Sequence, residues 1–219
     1  MRNAALLALA VSLMTLPTSA LAQEPDAGVF PREKLEGVKL DSTLVEIAKA
    51  RKELRTLRAS FTQSRRITLL ATTVSSRGDM TFAAPERLRW DLASPDDIAY
   101  FVGPEGLSYK AKGSAAVTVP PSSRIRAKGL GDLRVLLGGD LLALRDRYVL
   151  GGSRSATDVE ITGTAKDPEA TIRGFTLVLD KGLVVPVRAR LQEGKTDNVD
   201  IVFTNAVVNG PVDPARLKP

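Results

Sequence analysis

The chain is 219 residues long and contains neither cysteine nor histidine. That excludes disulfides, thiolate nucleophiles and cysteine zinc sites, and it removes the commonest general base and metal ligand. Its 31 Lys and Arg against 25 Asp and Glu leave a formal charge of +6. The two signs alternate along the chain, which describes a solvated surface with a mild pull toward anionic membranes rather than a nucleic-acid footprint.

Residues 1–22 read as an export signal. Arg2 precedes an apolar stretch from Ala4 to Leu16, Pro17 breaks it, and Ala20-Leu21-Ala22 supplies the small residues for cleavage near Ala22. The apolar run is shorter than the ~20 residues that span a bilayer, and no cysteine at the cleavage site offers a point for lipid attachment. The mature chain is therefore expected in the periplasm, beginning at Gln23, as one domain with a substantial core. Residues 23–40, with two prolines, two glycines and many charges, read as an extended, flexible lead-in.

Residues 41–57 place Leu44, Ile47, Leu54 and Leu57 on one stripe, which predicts an amphipathic helix capped by Asp41 or Ser42. The period then changes from 3.6 to 2. Met80, Phe82, Ala84, Leu88, Trp90 and Leu92 share one parity, and Asp79, Thr81, Arg87, Arg89 and Asp91 share the other. Half-buried strands alternate in this way, with an interruption at Pro85. Short strands follow at 97–102, 106–111 and 115–120, separated by turns.

Residues 121–150 return to helical spacing. Leu130, Leu133, Leu136 and Leu137 form one face, Gly138 and Gly139 end it as a hinge, and Asp140 can cap a second short helix through Leu141, Leu142, Leu144 and Arg145. Alternation resumes at Val159-Ile161, Phe175-Leu177-Leu179, Val185-Val187-Ala189-Leu191 and Val199-Ile201-Phe203, before a proline-limited tail. Many strands with one apolar face and few helices to cover them must curl or be lidded. The predicted fold over 41–219 is mainly β (α+β): an incomplete, curled antiparallel β-barrel with a lid or plug of about three short α-helices.

Catalytic signatures are absent. No S-x-x-K, G-x-S-x-G, G-x-G-x-x-G or P-loop pattern occurs, and "GLGDLR" lacks a third glycine and does not follow a predicted strand. Asp96-Asp97 sit in a turn after Pro95 and Asp79 alternates outward, so neither is read as catalytic. No catalytic residue, cofactor or metal ligand is assigned. What remains is apolar surface: Phe61, Phe82, Leu88, Trp90, Phe101, Phe175 and Phe203, with the leucines of 130–144, suit an interior that holds something else.

"ASFTQ" at 59–63, then "SSRGDMTFAAPERLRWDLASPDD" and "YFVGPEGLSYK", resembles the LolA-type periplasmic outer-membrane lipoprotein carriers. Phe61, Gln63, Gly78, Asp79, Pro85, Trp90, Pro95, Gly106 and Tyr109 fall in matching places over residues 40–110; the later elements agree in kind and order. The resemblance implies a half-barrel under a three-helix lid. It also implies a shuttle that takes acylated lipoproteins from an inner-membrane ABC exporter to an outer-membrane acceptor, with monomer the default and nucleic acid no partner. Exposing one acyl chain to water costs on the order of 10 kcal/mol, at about 0.8 kcal/mol per methylene, so such cargo needs a covered route.

One position departs from the family. The arginine that commonly precedes the proline and ties barrel to lid is Ala84 here, whereas the apolar residue three places after the proline is kept as Leu88. That points to a lid held differently or to another cargo. "LLATTVSSRG" also resembles relatives encoded with lipid or pigment export systems, so a carrier of another lipid or glycolipid, or a lipoprotein-sensing regulator, is the alternative. The expected lipid-binding lining is Phe61, Phe82, Leu88, Trp90, Leu92, Leu133, Leu136, Leu137 and Leu141. Gln63 shares the parity of Phe61, so its amide is expected inside, with a partner.

Overall fold

The computed structural model describes residues 31–119, 127–138 and 140–219. The export signal expected over 1–22 and the start of the lead-in lie outside the described residues, as do Gly139 and the side chain of Leu130. The chain opens with β1 (Glu33–Leu35) and helix α1 (Gly37–Arg51), then runs through β2 (Thr56–Ile67), β3 (Thr72–Ala83), β4 (Arg87–Leu92), β5 (Ile98–Gly103), β6 (Gly106–Ala111) and β7 (Val117–Val119). Helix α2 (Ala127–Gly138) and a 3-10 turn at Leu141–Asp146 come next. They lead into β8 (Tyr148–Arg154), β9 (Asp158–Ala165), β10 (Ile172–Asp180), β11 (Pro186–Glu193) and β12 (Asp197–Val208), with a last 3-10 turn at Pro214–Leu217.

The twelve described strands form one antiparallel sheet in the order β1-β8-β9-β10-β11-β12-β2-β3-β4-β5-β6-β7. The pairing of β12 with β2 joins the two halves of the chain, and β1 and β7 are left as edges, so the barrel is open. Helix α2 touches β10, β3 and β5. Strands β10 and β5 stand six places apart in that order, roughly 29 Å across a flat sheet at about 4.8 Å per strand. One helix about 10–12 Å wide reaches both only because the sheet curls round it.

Register shows how alternation builds the concave face. Leu57, Phe82, Leu88, Val102, Leu107 and Val119 are successive cross-strand partners from β2 to β7. A second row runs Leu35, Gly152, Ile161, Leu177, Ala189, Ile201 and Gln63. Both rows face the helices, and their apolar members belong to a single buried cluster. The predicted architecture, a curled open barrel with a helical lid, is the one observed.

Several boundaries are corrected. The helix expected over 41–57 occupies Gly37–Arg51, and Thr56 already begins β2. Leu57, Ala59 and Phe61 continue one alternating face, and pairing to both neighbours outweighs the helical spacing of Leu54 and Leu57. The helix enters from Glu36 in an extended conformation without a side-chain cap, and Asp41 pairs instead with Arg145. Residues 33–40 of the expected flexible lead-in are ordered, because Leu35 is buried and pairs with Gly152.

On β11 the expected run through Val187 is broken. A register shift between Val178 and Leu179 sets Pro186 opposite Leu179 and turns Val187 out to solvent. Phe101, counted with the interior by composition, lies on the convex face, since Tyr100 and Val102 take the inward parity. There Arg89 stands over its ring, and the C-terminal 3-10 turn anchors to that arginine through the Arg216 carbonyl.

Candidate functional site: the lidded barrel interior

The floor of the concave face is aromatic. Phe61 and Trp90 stack with ring centroids 3.8 Å apart, and Phe203 meets Trp90 edge-on at 6.2 Å. Gly78 makes room for them: a Cβ there would sit 1.8 Å from the Asp91 carbonyl oxygen and 2.8 Å from Phe61 Cζ. Gly78 is therefore a close-packing site.

Eight of the nine predicted lining residues are buried in one cluster. Phe61, Phe82, Leu88 and Trp90 rise from the sheet, Leu133, Leu136 and Leu137 descend from α2, and Leu141 comes from the following 3-10 turn, none more than 3% exposed. Leu92, at the end of β4, is half-buried and packs against the same cluster. The helices therefore fill the concave face with their own leucines. Asp140 does cap the second element, accepting the Leu142 N–H at 2.8 Å, although that element is a 3-10 turn rather than an α-helix. Gln63 faces inward in register with Ile201 and is half-buried, but its side chain has no hydrogen-bond partner among the described residues.

Polar ties join these apolar contacts in holding the lid down. The Ala84 side chain carries no charge to tie the lid, and its backbone N–H donates to the Arg55 carbonyl. The tie at this turn runs the other way round, from Arg134 on α2 to the Glu86 carboxylate at 2.8 Å and to the Glu86 carbonyl at 3.2 Å. Deeper in, Tyr148 donates to the buried Asp132 carboxylate at 2.8 Å, and Arg147 pairs with the same group. Burial first, then the Asp132 charge, pushes the Tyr148 hydroxyl well above its ordinary range, so it remains a donor.

Arg51 is the third tie. It sits at the end of α1, is 6% exposed, and donates from Nη1 to the Leu136 carbonyl at 2.9 Å and from Nη2 to the Val184 carbonyl at 3.4 Å. Leu136 lies in the last turn of α2, where carbonyls lack helical donors, so Arg51 caps one lid helix from the other. Burial pushes its guanidinium down to about 10, partly offset by Asp180, and it keeps its charge at neutral pH. Sequence reasoning treated the charges of this helix as solvated filling. The available signal was spacing: Arg51 follows Leu44 and Ile47 on the buried stripe.

Replacing Arg51 with methionine is expected to lower stability by about 1.5–3 kcal/mol, the range for a lost hydrogen bond to a charged group. It should also speed amide hydrogen exchange in the last turn of α2. Exchange there at the wild-type rate would show that Arg51 does not fasten the lid.

The sequence profile of the family described as outer membrane lipoprotein carrier protein LolA matches residues 52–219. No curated protein matches the chain in sequence. Among solved structures, a LolA superfamily protein from Nitrosomonas europaea is similar at 10% identity and a TM-score of 0.47, covering 81% of this chain and 97% of that one. The MucA/MucB complex of Pseudomonas aeruginosa is similar at 17% identity and a TM-score of 0.46, over 81% of this chain and 60% of the matched one. The lipoprotein LppX of Mycobacterium tuberculosis is similar at 19% identity and a TM-score of 0.43, over 79% and 98%. The profile match extends over most of the chain, from the end of α1 through the last 3-10 turn, and the chain belongs to the LolA family of outer membrane lipoprotein carrier proteins.

Proposed function

We propose that the protein is an exported, periplasmic carrier that takes the acyl chains of a lipoprotein into the barrel interior when the lid helices move off the sheet. The observation that carries this reading is the division of labour at the lid. Its inner face is leucine packed on an aromatic floor, while its polar attachments are a few ion pairs and hydrogen bonds, one at the Glu86 turn and two buried. Methylenes of an acyl chain can replace those leucines against Trp90, Phe82 and Leu88 at little net cost in apolar burial. These polar contacts set how readily the exchange occurs. The reading assigns no catalytic group.

Handover from an inner-membrane ABC exporter and to an outer-membrane acceptor, which the resemblance to LolA-type carriers implies, completes the proposed cycle. The test is mass spectrometry of the protein purified gently from its own cells, intact and after delipidation. An acylated polypeptide bound one to one supports lipoprotein carriage. A free lipid or glycolipid moves the cargo to the alternative reading while keeping the interior site. An empty protein that takes up neither in vitro refutes the carrier reading.

A further inference from the structure

Strands β2 and β3 pair without a break from Thr56–Ala83 to Ile67–Thr72, but β4 accompanies them only as far as Gly78. Six residues of β3, 72–77, therefore extend past the end of β4, roughly 20 Å at about 3.3 Å per residue. The hairpin ends in a 3-10 turn, Thr68–Leu70, in which Leu69 is 92% exposed and Leu70 is 66% exposed. These are the leucines of the "LLATTVSSRG" stretch, and the lid and interior make no use of them.

The turn is held in place. Asp197 accepts the Thr68 N–H at 2.9 Å, the Thr68 hydroxyl donates to the Thr196 carbonyl at 3.0 Å, and the Ala71 N–H closes on the Thr68 carbonyl at 3.0 Å. Two leucines are thus displayed at low ordering cost. Behind them stand Arg66 and Lys195, both exposed and neither in an ion pair among the described residues. Two leucines at a narrow tip fall far short of the about 800 Å² per partner that a stable protein interface buries. Apolar residues ahead of free cations do suit a bilayer surface, where side chains enter the acyl boundary and basic groups meet anionic headgroups.

We infer that the β2–β3 tip docks the protein on an anionic membrane surface, with Leu69 and Leu70 inserted and Arg66 and Lys195 at headgroup level. One short apolar tip with two cations gives reversible contact rather than anchoring, which is what a protein visiting a membrane requires. The inference concerns where the protein touches a bilayer and does not depend on the identity of the cargo.

The experiment is co-sedimentation with phosphatidylglycerol–phosphatidylcholine vesicles and with phosphatidylcholine vesicles at low and physiological salt. Wild type should bind the anionic vesicles, more weakly as salt rises. The double variant L69S/L70S should bind at least about tenfold more weakly with an unchanged melting temperature, since both side chains are exposed. R66S should lose about fivefold, the worth of one cation near such a surface. L69W should show a blue-shifted emission on adding anionic vesicles. Absence of wild-type binding, or equal binding by L69S/L70S, would overturn the inference. So would self-association that vanishes in L69S/L70S without vesicle binding, which would assign the tip to a second copy.

Discussion

Replacing Gly138 with valine is expected to lift helix α2 from the sheet. A Cβ at this position would lie 2.3 Å from Phe82 Cε1, 2.4 Å from Cζ and 2.6 Å from Cδ1. Phe82 has nowhere to retreat: it is fully buried, with Leu57 and Leu88 as its cross-strand neighbours. Overpacking of this kind costs about 1–3 kcal/mol and occasionally more. At roughly 2–4 °C per kcal/mol for a domain of this size, the melting temperature should fall by several degrees or more. The more telling readout is exposure of Leu133, Leu136 and Leu137, which should make the variant bind an apolar dye that wild type ignores. Wild-type melting together with no dye binding would mean that the helix end does not bear on Phe82. Gly138 was read as part of a hinge, and the structure adds that it is where the lid touches the barrel floor.

Leu88→Glu is expected to be the most damaging single change in the interior. Leu88 is 1% exposed, with Phe82 and Val102 as its cross-strand partners. A carboxyl fully buried in such surroundings has its pKa raised by up to about 3–5 pH units. At about 1.4 kcal/mol per unit, this costs about 3–4 kcal/mol at pH 7, where the folded variant stays largely protonated, and on the order of 4–7 kcal/mol only above the raised value. The sign follows from proton uptake. The folded variant would hold its proton up to the raised value, whereas the unfolded chain releases it near the ordinary 4.3. Stability relative to wild type should therefore be recovered below about pH 4 and lost progressively as pH rises toward the folded value. Urea titrations of both proteins at several pH values measure it; a difference that does not grow with pH would mean that position 88 is hydrated. Loss of cargo by Leu88→Glu at neutral pH thus reports stability as much as binding, and loading must be measured where the variant is still folded.

Much of this site was legible because its patterns are strict. Met80 and Phe82, then Leu88 and Trp90, keep one parity through two strands, and Leu133, Leu136 and Leu137 keep helical spacing, so the floor and lid were identified residue by residue. The junction after α1 was not legible, because Leu54 and Leu57 satisfy a helical interval while Leu57, Ala59 and Phe61 satisfy a strand. Phe101 stands between Tyr100 and Val102, and three apolar residues in a row do not say which faces inward. Strand β1 has one buried residue, Leu35, and its partner Gly152 is remote in sequence. The lid ties were missed for a related reason. Arg51 and Asp132 look like surface charges until a distant carbonyl or hydroxyl is placed against them.

The ties also answer the departure at Ala84. The family's arginine before the proline is absent, but the same turn still holds the lid, through Glu86 and an arginine carried by the helix. Arg51 and the Asp132–Tyr148 pair add two further attachments along α2. The lid is fastened by polar contacts at three places rather than at one.

The most direct test of the interior site uses the chain's one tryptophan, Trp90, which lies on the floor against Phe61. Bromine quenches indole emission only at close range, so a phospholipid with dibrominated stearoyl chains should quench Trp90 saturably if acyl chains enter beneath the lid. Gly138→Val should reach saturation faster. Demonstrated acyl binding that leaves Trp90 emission unchanged would place the chains elsewhere and contradict the account.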